Sequence, residues 1–212
     1  MIGTTLNLKS RGFFKKPTAS ELIAIFVLLA YIIGFVIGLV LICNENRVFV
    51  DYFKNTLESI YIQKSNNSFL VILLSDYLKF LPLILITYAF GTSIIGCAFI
   101  PSVSIFKGMY DGLLISYIYS YAGISGMVFS ALMIIPGNLF YVIFLILSTR
   151  EAISFSDRVL KNALPKGTSS NLSSDFKIYS VRNLIIIAAS VSGALINAAT
   201  AKIFINYFDN FV

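Results

Sequence analysis

Residues 112–149 read GLLISYIYSYAGISGMVFSALMIIPGNLFYVIFLILST, 38 positions without one charged side chain. About 20 apolar residues in a helix cross the hydrocarbon core of a bilayer. With a few residues before it, this stretch is long enough to cross twice. Three further runs, 22–43, 80–106 and 183–201, also lack charges. The pattern predicts an all-α polytopic membrane protein. It would have five transmembrane helices plus an amphipathic outer helix, in a single membrane-embedded domain over 1–212.

The composition agrees. Hydrophobic residues make up 58% of the chain and charged residues 12%, the latter about half the usual share. The longest polar stretches, 44–79 and 150–182, are too short to build a large core of their own. The net charge of +6 does not argue for nucleic acid, because most of the excess sits beside spans. Lysine and arginine there set orientation and meet anionic lipid. Cys43 and Cys97 lie in or at the edge of apolar runs and read as buried thiols. There is no histidine, which excludes imidazole catalysis and imidazole metal ligation. The phosphate-binding pattern Gly-x-x-x-x-Gly-Lys-Ser/Thr is absent, so the chain has no ATPase of that type. No catalytic residue, cofactor or metal site is expected.

Basic residues Lys9, Arg11, Lys15 and Lys16 precede Pro17, which makes the amino terminus cytoplasmic by the positive-inside rule. Thr18 or Ser20 would cap the first span, 21–43. An outer loop, 44–79, follows. In it Phe49, Phe53, Leu57, Ile60 and Tyr61 recur at helical steps and form an apolar face. The next spans are placed at 80–99, 106–121 and 127–148, with Pro101 and Lys107 in a tight cytoplasmic connection and Gly123 and Gly126 turning the chain outside. A cytoplasmic loop, 150–180, leads to the last span, 181–205. On this topology eleven basic residues fall inside and five outside, and the carboxyl terminus is extracytoplasmic.

Asp111 stands out, since a carboxylate within a span is costly and marks a site by default. Lys107 lies one helical turn earlier. Three readings stay open: an interfacial pair, a structural role in the bundle, and ion or proton transport. If the pair is interfacial, Asp111→Asn should be tolerated. Gly108 and Gly112 frame Asp111, and Gly34 and Gly38 form a second Gly-x-x-x-Gly step. Ala189/Gly193 and Ala194/Ala198 repeat the theme in the last span. Such pairs let helices approach closely, within this chain or against a partner. Pro136-Gly137-Asn138 predicts either a kink whose freed carbonyl the Asn138 amide satisfies, or a break lining a substrate path.

These residues resemble the stage II sporulation protein M family of integral membrane proteins. The resemblance begins at Tyr77-Leu78-Lys79-Phe80-Leu81 and continues through Gly91-Thr92-Ser93-Ile94-Ile95-Gly96. Phe106-Lys107-Gly108 with Gly112 follows, then Gly123, Gly126 and Ile135-Pro136-Gly137-Asn138-Leu139. It covers mainly residues 77–150. Asp111 departs from it, standing where an uncharged residue is expected. The resemblance implies a non-enzymatic multipass scaffold in the cell membrane of a bacterium. That scaffold would localise peptidoglycan-remodelling hydrolases during engulfment in endospore formation. Its implied partners are stage II sporulation proteins D and P, beside membrane lipid. The outer face through Phe49, Phe53, Leu57 and Ile60 is the candidate surface for them. The alternative is the permease component of an ABC-type or bacteriocin-related transporter with a separate ATPase. Oligomeric state is left open.

Overall fold

The structure is a computed structural model. It describes residues 18–43, 47–164 and 171–204, and within them every side chain except those at 19, 43, 47–54, 57 and 61. All elements in these residues are helical: α1 (Ala19–Cys43), α2 (Arg47–Asn66), α3 (Phe69–Gly91), α4 (Gly96–Phe129), α5 (Ile135–Ala163) and α6 (Leu172–Phe204). A π-helical turn, Ser130–Ile134, joins α4 to α5. Four stretches are long and apolar enough to cross a membrane: Ser20–Ile42, Phe69–Gly91, Gly96–Ala163 and Leu172–Phe204.

Thr18 starts α1 through a reciprocal cap. Its N–H donates to Glu21 Oε2 at 2.8 Å, and the Glu21 N–H donates to Thr18 Oγ1 at 3.4 Å. Both orphan donors are thereby satisfied at the helix entrance. Beyond the cap α1 is apolar on all sides. Leu22, Phe26, Ile33 and Val40 remain about half exposed on the chain's own surface, as lipid-facing residues do.

The stretch Gly96–Ala163 is folded back on itself. Gly123 has φ 57° and ψ −131°, a conformation open to glycine and strained for residues with a Cβ. Three pairings follow the reversal. The Cys97 N–H donates to Ser156 Oγ at 2.9 Å, and Lys107 Nζ donates to Asn138 Oδ1 at 2.7 Å. Gly126 sits where a Cβ would overlap the Ile118 carbonyl. The arm before Gly123 therefore runs antiparallel to the arm after it.

α1 packs most extensively on the first arm of α4. A Cβ on Gly34 or Gly38 would strike the carbonyls of Ile105 or Met109, and one on Gly108 or Gly112 those of Tyr31 or Phe35. The two glycine steps thus interlock within one chain, with residue numbers rising together on both helices, so the pair is parallel. In the last span Ala194 and Ala198 are fully buried, and Gly193 lies against the Tyr141 ring.

The remaining helices close the bundle. Thr87 and Ser148 hydroxyls meet at 3.1 Å, and Ser148 donates to Asn183 Oδ1 at 2.9 Å. This polar thread ties α3, α5 and α6. At the same end of the molecule Glu151 accepts from both Arg150, at 2.7 Å, and Arg182, at 2.8 Å. Arg158 pairs with Asp175 at 3.4 Å.

Several boundaries differ from the sequence reading. The helix expected at 80–99 is α3, Phe69–Gly91, and the chain turns at 92–95. The next helix starts at Gly96 rather than 106, so Lys107 is not in a connection but well inside α4. The span placed at 127–148 continues as the polar helix expected over 150–166, which ends at Ala163, and α6 starts at Leu172 rather than 181. Of the expected outer loop 44–79, Arg47–Asn66 forms α2, and the second helix that the sequence suggests from Phe69 to Leu78 is the first part of α3. At Asp76, Lys79 and Lys107 the cause is shared: charged residues read as ends of spans find partners along the helices.

Candidate functional site

Between the helices lies a cavity of about 530 Å³. Its charged lining is Lys64 from α2, Asp76 and Lys79 from α3, and Lys107 and Asp111 from α4. Thr56 and Ser59 from α2, Tyr110 from α4, Asn138 and Tyr141 from α5 and Asn197 from α6 complete the polar part. Tyr31 of α1 donates to Asp111 Oδ2 at 2.9 Å, so every helix contributes to the chamber or to the groups that line it.

Two nests of polar groups share this space. In the first, Lys107 pairs with Asp111, one turn away, and donates to Asn138 Oδ1 at 2.7 Å. It also lies 5.9 Å from the centre of the Tyr110 ring. Asp111 is only 4% exposed, and both its oxygens are engaged. It lies near the middle of the first arm of α4, fifteen positions after Gly96 and twelve before Gly123. The interfacial reading of Asp111 placed it near a helix end, and that position is corrected here. Of the three readings, only the interfacial one depended on it.

In the second nest Lys64, 4% exposed, donates to the Met133 carbonyl at 2.6 Å and to Asn197 Oδ1 at 3.0 Å. Asn197 in turn donates to Asp76 Oδ2 at 2.6 Å. Lys79 lies 3.9 Å from Asp76 and donates to Gln63 Oε1 at 2.5 Å. Burial pushes the Lys64 ammonium down to about 8, against the attraction of Asp76.

Pro136 disturbs the helix beside the Met133 carbonyl. It has no N–H, and its ring crowds the preceding turn. The chain widens there to the π-helical turn 130–134, a form that recurs at functional positions. The Met133 carbonyl gains its partner from Lys64 on α2, not from the Asn138 amide that the sequence suggested; Asn138 faces Lys107. Gly137 makes room for Asn197, whose Cβ would lie 2.6 Å from a Cβ at position 137.

The structure thus brings Lys107, Asp111 and Asn138 together, while Gly108 and Gly112 serve the α1 seam and Pro136 and Gly137 shape the wall. Phe49, Phe53 and Leu57 lie outside the described side chains. Ile60 packs against the core and lines the chamber. Sequence reasoning missed Lys64, Asp76, Lys79, Tyr141 and Asn197. The first three were assigned to the outer loop. The overlooked sign was that residues 69–91 form one apolar run once Asp76 and Lys79 are read as a pair on one helix. Among the described residues, no three of His, Cys, Asp and Glu come together as metal ligands.

Comparison of the chain with protein-family models, curated proteins and solved structures returns no match.

Proposed function

We propose that this chain is a five-span, non-enzymatic membrane scaffold, as its resemblance to stage II sporulation protein M implies. One observation carries the reading. Lys107-Gly108 and Pro136-Gly137-Asn138, the two steps most specific to the resemblance, meet through the Lys107–Asn138 hydrogen bond across 31 positions. Motifs that identify a family by sequence and touch in space have a shared physical reason to occur together.

In this reading the reversal at Gly123 divides Gly96–Ala163 into two spans, and α2 lies over the extracytoplasmic end. The amino terminus is cytoplasmic and the carboxyl terminus outside. Lysines in the chamber do not vote on orientation. Taking Lys107 from the eleven inner basic residues and Lys64 and Lys79 from the five outer ones leaves ten against three, a steeper bias. The parallel run of α1 and the first arm of α4 agrees with both leading outward. Stage II sporulation proteins D and P, or similar envelope proteins, would be held at the outer end.

Cysteine labelling in intact cells tests the topology, in a chain freed of Cys43 and Cys97. Single cysteines at Asn67 and Asn210 should react with an impermeant reagent, and one at Gly167 should not; the opposite pattern rejects it. Co-purification of envelope partners tests the scaffold. Phe53→Glu and Leu57→Glu should reduce it at matched abundance, whereas Val159→Glu and Leu160→Glu should not.

The charged chamber favours a second reading, the permease component of a transporter served by a separate ATPase. Several ionisable groups facing one intramembrane cavity are what a solute path needs. Recovery of an ATPase, lost only with the changes at Val159 and Leu160, would select this reading over the scaffold.

A further inference from the structure

The buried groups of the chamber have unused hydrogen-bond donors. Each lysine ammonium carries three N–H groups, and acceptors among the described residues take at most two on Lys64, Lys79 or Lys107. Tyr141 is 6% exposed, lines the chamber, and its buried hydroxyl has no partner among the described residues. A buried hydroxyl without a partner carries a desolvation cost that a ligand can remove. The acceptors are better served: Asp111 has both oxygens engaged, and Asp76 holds Asn197 and faces Lys79. What the chamber lacks is therefore an acceptor.

Its charge says the same. Three lysines against two aspartates leave one positive charge facing the cavity. An uncompensated charge among membrane helices is costly, and a monoanion would balance it.

The walls and the opening define the rest of the ligand. Ile60, Phe80, Leu83, Leu114 and Ile134 make most of the chamber apolar. Lys79, with a side chain 58% exposed, stands at the rim on α3, and Phe106, 63% exposed, stands at the rim on α4. Exposed Ser59 of α2 joins the same rim, and the part of the opening between α3 and α4 lies between two helices that are each apolar enough to cross a membrane, where lipid would be the neighbour. About 530 Å³ is the size of an ordinary small-ligand site.

We propose that this chamber binds the phosphodiester head group of an anionic membrane lipid, which enters sideways between α3 and α4. The phosphate oxygens accept from Lys64, Lys79, Lys107 and Tyr141, and the acyl chains run out past Phe106 and Leu83. The inference rests on the membrane location of these helices and not on the choice of envelope partners, so either can fail alone.

The test is native mass spectrometry of the purified full chain with dioleoyl phosphatidylglycerol, set against dioleoyl phosphatidylcholine and inorganic phosphate. One phosphatidylglycerol should be retained in preference to phosphatidylcholine. Tyr141→Phe removes only the unpartnered hydroxyl and should weaken retention about fivefold. Lys79→Gln, at the half-exposed rim, should weaken it about threefold. Lys177→Gln, an exposed lysine at the other end of the bundle, should leave it unchanged. Thermal unfolding of each variant confirms that the comparison is between folded chains. Equal retention of the two lipids overturns the proposal, as does retention insensitive to both chamber variants. So does an equal loss with Lys177→Gln, which would mean surface attraction. Displacement by inorganic phosphate would make the occupant a soluble anion and overturn the lipid assignment.

Discussion

On one face of α4, Gly108 and Gly112 give up their side chains so that the backbone of α1 can lie against them. On the adjoining face, Lys107 and Asp111 carry charges into a cavity. The two faces differ by a single step in sequence. In the seam, attraction comes from dispersion over closely apposed backbones, because lipid supplies no hydrophobic drive between helices. Its tolerance is set by distance alone. In the chamber, stability depends on each charge having its partner, since removal of one member strands the other in a low dielectric. A seam therefore resists added volume, and a chamber resists unbalanced charge.

That contrast is broken most directly at the ion pair. Asp111→Leu leaves Lys107 buried with Asn138 alone and should cost about 3–5 kcal/mol. Adding Lys107→Met removes the stranded charge and should restore most of the loss. Thermal unfolding in detergent, with abundance in the membrane as a second reading, checks both. If the double variant is no better than the single one, Lys107 and Asp111 do not act as a pair. Asp111→Asn, expected to be tolerated when the pair was read as interfacial, should now fall between wild type and Asp111→Leu.

The seam is the next largest test. Gly108→Ala adds one methyl where the Tyr31 carbonyl already stands, and overpacking of this kind costs about 1–3 kcal/mol. Gly123→Ala probes a different property, because nothing lies within 4 Å of a Cβ there and only the backbone conformation objects. Gly108→Ala should be rescued by a change that lets α1 move away, and Gly123→Ala should not. Equal melting of Gly108→Ala and wild type would show that α1 and α4 are not in close backbone contact.

The same contrast explains what could be read beforehand. The seam was legible as two Gly-x-x-x-Gly steps, because spacing alone puts small residues on one helix face. What spacing did not give was their mutual register. An irregularity of the helix at Pro136 was legible too, since proline's missing N–H is a local property, and it takes the form of the π-helical turn 130–134. The chamber was not, because its lining is assembled from five helices, α2 to α6, and its members include charged residues that local reasoning assigns to loops. Asp76 and Lys79 interrupted an apolar run and moved the expected start of α3 by eleven positions, from Phe69 to Phe80. Each acquires meaning only from Asn197 and Gln63, 121 and 16 positions away. Lys64 was invisible for the same reason.

The smallest expected effect is also the most specific to the chamber, and it concerns Lys64. Burial lowers its ammonium from 10.5 to about 8, with Asp76 opposing and Lys79 adding to the shift. Below pH 8 the group is charged in both folded and unfolded chains, and the folded chain bears the full cost of that buried charge. Between pH 8 and 10.5 the folded chain has released the proton while the unfolded chain keeps it. The unfolded chain then binds more protons, so stability must rise with pH across this window. From pH 8 to pH 9 the gain should be about 1 kcal/mol. Lys64→Met deletes the titrating group but keeps its length, so its melting temperature should stay flat over the same interval. Subtracting the two profiles removes titrations common to both chains. A wild-type profile that falls, or a rise that survives in Lys64→Met, would mean that Lys64 keeps its contact with water. The α2 helix would then not cover the chamber, whereas the glycine seam on the adjoining face of α4 would be untouched by that result.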